Sequence, residues 1–462
     1  MTAAKRLASF VAGLDLAKVP GPVVATATLL ALDTLGNALA AASDDFGRAV
    51  RGVAERLGGP AESSLIGGRA RVSAANAVLA NATLAHGLDF DDTREDAIVH
   101  TGCVAVTTAL AVGEALGARG PAMLEALIAS VEVMCRVGLV VPGALHARHF
   151  HPTSITSSFA AAAAAAKLER LSAEELAQAF GICGSQAGGI IEYLVDGSWT
   201  KRLHPGWGGH AGVVATLLAR KGFTGPTTVL EGEHGLYAAF AGGHDGARLG
   251  TLLDSLGRKW ELAELTLKPY PCGSIAQPYM DCAMRLRERV RPEQIAAIRC
   301  RTAAGPVPRL WEPLAAKHRP PNGYAAKFSL PYLLAVILVK GRAGLAEFSD
   351  EAVRDSAVLD VARRVQYDLD ATIDYPRQFV GDVTVRLTDG RVLHAHQDHP
   401  RGGADSPLTG DELEAKFRGN ARLALPEAAI DPLVDCVRQL AKAPDLGAIV
   451  QGLRSAAKGD TP

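Results

Sequence analysis

The stretch His86-Gly-Leu-Asp-Phe-Asp-Asp-Thr93 gathers an imidazole, three carboxylates and a hydroxyl. On helical spacing, Asp89 and Thr93 lie four apart, and His86 precedes Asp89 by three, so these three share one face. Asp91 and Asp92 then point elsewhere and serve structure. A carboxylate, a hydroxyl and an imidazole that converge suit proton transfer to and from carbon or oxygen. The same residues also read as an acidic, solvated helix end. A third reading is part of a metal site, although no spacing supplies its remaining ligands.

Further groups of the same chemical kind follow. His100 comes after a loop holding Arg94, Glu95 and Asp96, and alone it reads as incidental or as an acid–base group. His151 stands before Pro152, which biases it towards extended backbone. Thr153 and Ser154 are N-cap types, so a helix N-terminus beside an imidazole is expected, a pairing that suits a carboxylate ligand. Lys201-Arg-Leu-His204-Pro-Gly-Trp-Gly-Gly-His210 is a glycine-rich run expected to lead into a helix over 211–220. It lacks G-x-G-x-x-G and the Walker pattern, so no nucleotide site is read from it. Lys268-Pro-Tyr-Pro reads as a stiff segment holding a lysine in place, or as a plain rigid linker. Tyr332, in Lys327-Phe-Ser-Leu-Pro-Tyr332, is a candidate to close a cleft or simply to pack.

These residues need a scaffold, and its pattern changes along the chain. Up to about residue 265 the pattern is helical, as in 122–137, the alanine run 160–166, and 173–180 behind a Ser172/Glu175 capping box. From 266 to 399 strands enter: 295–302, then 383–387 turning at Asp389-Gly390 into 392–396. Helices are expected between them at 328–340 and 351–365. After Pro400 helix returns, with Thr409 and Glu412 forming a second capping box. The expected fold is therefore mainly α. A large helical domain is built from 1–265 and 400–462, with a smaller α+β domain at 266–399. A cleft between two such domains is a common ligand site.

Composition excludes several classes of function. A chain of 462 residues with formal net charge −1 has no basic excess to neutralise a phosphate backbone, so no nucleic-acid partner is expected. The seven cysteines are scattered, with no C-x-x-C pair, which argues against an iron–sulfur cluster or a disulfide framework. The apolar stretch 23–42 is interrupted by Asp33 and Asn37 and reads as a buried helix rather than a membrane span. With no signal-peptide pattern at the start, a cytoplasmic protein with no membrane partner is expected.

Taken in order, these motifs resemble the MmgE/PrpD family. The resemblance runs through His86–Thr93, His151-Pro-Thr-Ser154, Lys201-Arg-Leu-His-Pro-Gly206, Gly222-Phe-Thr-Gly-Pro226, Lys268-Pro-Tyr-Pro271, Lys327–Tyr332 and Pro407-Leu-Thr-Gly-Asp-Glu-Leu413. That family comprises 2-methylcitrate dehydratase, cis-aconitate decarboxylase and iminodisuccinate epimerase. The resemblance implies a helical domain from both chain ends with an α+β lid, a homodimer, and no cofactor or metal. Its site residues fall on Asp89, Thr93, His100, His151, Lys201, Lys268 and Tyr332, and His204 joins them as a substrate-binding candidate. One departure is Cys272-Gly-Ser274, where some decarboxylase members carry a histidine, and this points away from cis-aconitate as substrate.

The implied chemistry is a carbanion formed or quenched beside a carboxylate. Dehydration of a 2-methylcitrate- or citrate-like hydroxy-acid comes first, ahead of decarboxylation and epimerisation. Lys201 and Lys268 would pair with carboxylates of a small polycarboxylate. His100 and His151 would be the acid–base pair, in an order the sequence leaves open. Asp89 would orient a histidine or protonate the departing hydroxyl, and Tyr332 would close the cleft. The rival readings are an inactive binding protein of the same family and a metal-dependent hydrolase using His86 and the aspartates.

Overall fold

Small side chains govern how this chain packs. Ala160–Ala166 lie within the Pro152–Glu169 helix, and every one of them is at most 2% exposed. Without bulk beyond Cβ, such a helix lets neighbours come close on all sides. The computed structural model describes residues 1–375 and 378–454. Helices take 59% of the chain and strands 8%, so the fold is mainly α, with a small α+β part. The chain divides into two compact units: Met1–Leu265 together with the segment from Thr409 on, and Thr266–Leu408.

The first unit is helical. The Thr200–Arg220 helix packs on the Pro152–Glu169 and Ala74–His86 helices. The glycine-rich run expected before a helix instead lies inside this one, which starts at Thr200 and includes Pro205. Its glycines serve helix contact rather than ligand approach. A Cβ on Gly206 would lie 2.2 Å from the Leu79 carbonyl oxygen, and one on Gly208 would lie 2.5 Å from Ser157 Cβ. The capping box of Ser172 and Glu175 opens the Ala173–Gln186 helix, and that of Thr409 and Glu412 opens the Gly410–Ala421 helix.

The Gly410–Ala421 helix ties the late part of the chain to the early part. It packs on the Gly21–Ala41 helix. There Lys416 Nζ reaches Asp33 Oδ1 at 2.7 Å, and Asn420 Nδ2 donates to Asn37 Oδ1 at 2.9 Å. Burial pushes the Asp33 carboxyl up, against the opposing pull of Lys416. By length and composition, Gly21–Ala41 is long and apolar enough to cross a membrane, yet 72% of its most apolar window is buried inside the fold. The polar interruptions at Asp33 and Asn37 mark the contact with the later helix.

The second unit holds a four-stranded sheet in the order Val365–Leu369, Ile295–Thr302, Gly381–Leu387, Val392–Gln397. The first pair is parallel, with Ile298 opposite Val365, and the other two pairs are antiparallel. A parallel neighbour needs a long crossover; here it includes the Leu330–Lys340 and Ser356–Ala362 helices. Ile298, Cys300, Val383 and Val385 are fully buried in one core with Met280, Leu333 and Ile337. The hairpin at Asp389-Gly390 forms as its sequence predicts, with Gly390 at φ 88°.

One expected helix is corrected. Over 351–365 the helix shrinks to Ser356–Ala362, capped by Asp355, and Val365 instead begins the parallel strand. β-Branched Val365 fits the sheet edge of the core better than a last helical turn.

Candidate functional site

The Ala74–His86 helix ends at His86. The residues after it form a loop, which overturns the expected shared helical face of His86, Asp89 and Thr93. Gly87 follows as the C-cap, and Asp89 takes a left-handed backbone, with φ 58°. That conformation is uncommon outside glycine, although aspartate tolerates it better than most residues. The turn reorders the partners. Lys201 Nζ donates to Asp89 Oδ1 at 3.0 Å, and both side chains are at most 9% exposed. Asp89 is thus the counter-ion of Lys201.

Asp91, expected to point away, faces His86 instead, while the Asp92 carboxyl keeps a structural role. His86 Nδ1 pairs with Asp91 Oδ2 at 2.7 Å, with both side chains fully buried. Asp92 caps the Gly102–Ala115 helix, accepting from Thr101 N and Thr101 Oγ1 at Oδ2, and from Gly102 N at Oδ1. Burial first, and then the neighbouring Asp91, push the Asp92 carboxyl up to about 6, while those hydrogen bonds hold it down.

His100 is fixed by the backbone. Its Nδ1 lies 2.7 Å from the Asp92 carbonyl oxygen and 3.1 Å from Thr93 Oγ1. A carbonyl only accepts, so Nδ1 carries a proton. The His100 amide donates to Thr153 Oγ1 at 3.1 Å, which binds the loop to the start of the Pro152–Glu169 helix. His151 is the N-cap of that helix, and its own amide donates to the Gly189 carbonyl. Gly189 sits at φ 114°, and a Cβ there would strike Ser154 Oγ at 2.3 Å. The position therefore needs glycine on both counts.

His151 and His204 meet at their Nδ1 atoms, 3.0 Å apart, so one donates and the other accepts. Four imidazoles form one cluster. Ring centroids lie 5.0 Å apart for His86 and His100, 5.6 Å for His86 and His151, and 5.2 Å for His151 and His204. Tyr193 closes one side, 6.1 Å from His151 and 5.9 Å from His204. Burial, then the charges of His86, His204, Lys201 and His100, hold His151 well below the usual imidazole range. Burial, then His86 and Lys201, bring His204 down to about 4. These two rings are neutral at physiological pH.

The structure therefore brings together Asp89, Thr93, His100, His151, Lys201 and His204 of the expected residues. It adds Asp91 and Tyr193, and it pairs His86 with Asp91 rather than with Asp89 and Thr93. Only the His86–Asp91 pairing had a weak signal, a polar residue five positions after a histidine, and that spacing has no helical meaning. His86, Asp91 and Cys103 are also the residues, among those described, whose candidate metal-ligand atoms all come within 4.8 Å of one another. Burial, and then Asp91 and Asp92, push the Cys103 thiol well up, which favours a protonated thiol there.

Lys268 and Tyr332 belong to the second unit. Lys268 is fully buried, in a segment anchored where Gln277 Nε2 donates to the carbonyls of Tyr270 and Cys272. Tyr332 lies in the first turn of the Leu330–Lys340 helix and is also fully buried. Its hydroxyl donates to the Glu347 carbonyl at 2.7 Å. It was expected to offer that hydroxyl to a cleft, and as placed the group is engaged inside the second unit.

Residues 5–248 match the MmgE/PrpD N-terminal domain, and residues 270–439 match the MmgE/PrpD C-terminal domain. A cis-aconitate decarboxylase-like protein of Aspergillus oryzae is 24% identical, over 96% of this chain and 95% of its own. The cis-aconitate decarboxylase of Aspergillus terreus is 23% identical, over 95% and 93%. That of Mus musculus is 26% identical, over 85% and 81%. With both domain types matched in order over most of its length, the chain belongs to the MmgE/PrpD family.

Proposed function

We propose that this chain is a cofactor-independent lyase for a small polycarboxylate, and that it dehydrates a 2-methylcitrate- or citrate-like hydroxy-acid. The cis-aconitate decarboxylase relatives support the lyase class. The observation that carries the reading is His100. It is buried, and its Nδ1 lies 2.7 Å from the Asp92 carbonyl oxygen, which fixes the ring beside the neutral His151 and His204. An imidazole held in place suits removal of a proton from carbon beside a carboxylate.

In this scheme His100 Nε2 takes the proton while the departing hydroxide is protonated to water. The positive end of the Pro152–Glu169 helix, beside His151, stabilises the negative charge that develops. Lys201, held by Asp89, and Lys268 bind substrate carboxylates. The relatives' names favour a second reading, decarboxylation of an unsaturated tricarboxylate, whereas Cys272-Gly-Ser274 favours dehydration. Family membership also leads us to propose a homodimer in the cytoplasm, which sizing in solution and cell fractionation test.

The deciding experiment incubates purified protein with methylcitrate, citrate, cis-aconitate and iminodisuccinate, and follows unsaturated products and carbon dioxide. Formation of an unsaturated acid from a hydroxy-acid without carbon dioxide is the expected result. Carbon dioxide release from cis-aconitate selects the second reading. A silent panel rejects the substrate class.

A further inference from the structure

The sheet of the second unit carries a side-chain cluster that the proposed reaction leaves unused. His394 and His396 are two apart on the edge strand Val392–Gln397, so both rings stand on one face. In the antiparallel register His396 lies opposite Asp382, and His394 opposite Thr384, on the neighbouring strand Gly381–Leu387. Val383 and Val385 of that strand enter the core, which leaves Asp382 and both histidines on the other face.

The three side chains converge on one atom. His394 Nε2 and His396 Nδ1 each lie 3.2 Å from Asp382 Oδ2. The carboxylate is buried, and the two rings over it are about half exposed. Asp398 holds the far side of His396, 3.0 Å from its Nε2. The other ring nitrogen, Nδ1, is thereby turned to Asp382. A metal-binding histidine is commonly held this way, with one nitrogen on the ion and the other donating to a carboxylate that fixes the ring.

We propose that Asp382, His394 and His396 form a binding site for a divalent first-row metal ion of the zinc class, with Asp398 as the positioning residue of His396. Two imidazoles and a carboxylate are the nitrogen and oxygen donors such ions take. Donor atoms about 2.1 Å from a tetrahedral ion lie about 3.4 Å from one another. Each ring nitrogen is 3.2 Å from Oδ2, close to that edge. The ring planes are 23° apart, with centroids 6.5 Å from each other, and turning the half-exposed rings towards Oδ2 closes the third edge. The ion replaces the protons that the ring nitrogens share with Oδ2, and these pass to solvent. Water completes the coordination.

Arg301 is the cation that competes for Asp382. Its guanidinium lies 3.9 Å from Asp382 Oδ2 but 2.5 Å from Asp370 Oδ2. It also comes from the strand Ile295–Thr302, which flanks Asp382 on the side away from the histidines. The rival group in the first unit, His86, Asp91 and Cys103, includes a thiol that burial pushes well up, and a protonated thiol is a poor ligand. The site is independent of the proposed reaction, so a silent substrate panel leaves it untouched.

The test uses the full chain stripped of metal by a chelator and then dialysed. Zn2+ titrated by calorimetry should fill this site in the wild type. Losing an outer carboxylate partner costs roughly 10- to 100-fold in metal affinity. Asp398→Asn should therefore weaken binding by about tenfold, and His394→Ala or His396→Ala by about 100-fold or more. With the ion removed, His394→Ala should melt as the wild type does, which separates a lost site from a lost fold, and His394→Gln serves as a second variant. Co2+ used as a probe should give visible bands that His394→Ala abolishes, without a thiolate charge-transfer band. No Zn2+ uptake by the wild type, or wild-type affinity in both His394→Ala and His396→Ala, overturns the proposal. A Co2+ thiolate band that Cys103→Ser removes and His394→Ala leaves unchanged also overturns it, by placing the ion in the first unit.

Discussion

His151 and His204 lie in the interior of the first unit, whereas His394 and His396 stand 52% and 42% exposed on the sheet of the second. Both pairs have acidic or imidazole neighbours within about 3 Å, yet His151 and His204 are lowered while His396 is raised. In the buried pair, burial dominates and neighbouring cations add to it, so the rings are neutral. Burial also pulls His396 down, but its hydrogen bonds to Asp398 and Asp382 outweigh that and raise it. One residue type is therefore held down in one place and, at His396, raised in the other. The difference comes from desolvation and from which partner is a carboxylate. Chemistry at carbon needs the first kind.

The largest expected effect on stability comes from the ion pair that borders the buried rings. Lys201→Met leaves Asp89 as a buried charge without its counter-ion and should lower unfolding free energy by about 3 kcal/mol in denaturant titration. A change under about 0.5 kcal/mol would mean that the pair is solvated and the interior less dry than its burial implies.

The second prediction separates the two histidine pairs by pH. His204 has a folded value of about 4 against an ordinary 6.5. Between those values the unfolded chain binds the proton and the folded one does not, so stability falls as pH drops through that window. The loss amounts to about 3 kcal/mol for this ring. His204→Gln should therefore lose less stability than the wild type between pH 6.5 and 4. For His396 the sign is reversed. Its contribution is present at low pH and fades as pH rises through its raised value, so His396→Gln should lower stability on the acid side and leave the alkaline side unchanged. Parallel pH–stability curves for wild type and His204→Gln would break the contrast.

A smaller effect concerns the scaffold. Gly208→Ala puts a methyl 2.5 Å from Ser157 Cβ and should cost about 1 kcal/mol by pushing the Thr200–Arg220 helix off its neighbour. It should also lower turnover, because Lys201 and His204 ride on that helix. At the bottom of the scale, His394→Ala should change stability by under about 0.5 kcal/mol and leave turnover unaltered.

The elements of the fold were readable where local chemistry decides them. Both capping boxes, the Asp389-Gly390 hairpin and the buried alanine helix follow from side chains acting on their own backbone. The parallel strand Val365–Leu369 was not readable, because its partner lies far away in the chain and its short run looks like the end of a helix. The site divides the same way. The residue types of His100, His151 and Lys201 stood out with their motifs. The roles of Asp91 and His86 did not, because they depend on a left-handed turn at Asp89 that breaks helical spacing. No periodicity argument finds a pairing made by such a turn. The Tyr332 hydroxyl bond to a carbonyl fifteen residues later was likewise beyond local pattern.

His100, buried and with its Nδ1 against the Asp92 carbonyl, is the base proposed for the proton abstraction. Its most direct test is turnover of the active panel substrate by His100→Ala, compared with wild type at equal folded concentration. A loss of between about 100- and 10,000-fold in kcat, with the melting temperature near that of the wild type, is the predicted result. Near-full turnover by the folded variant would contradict it and remove His100 from the chemistry.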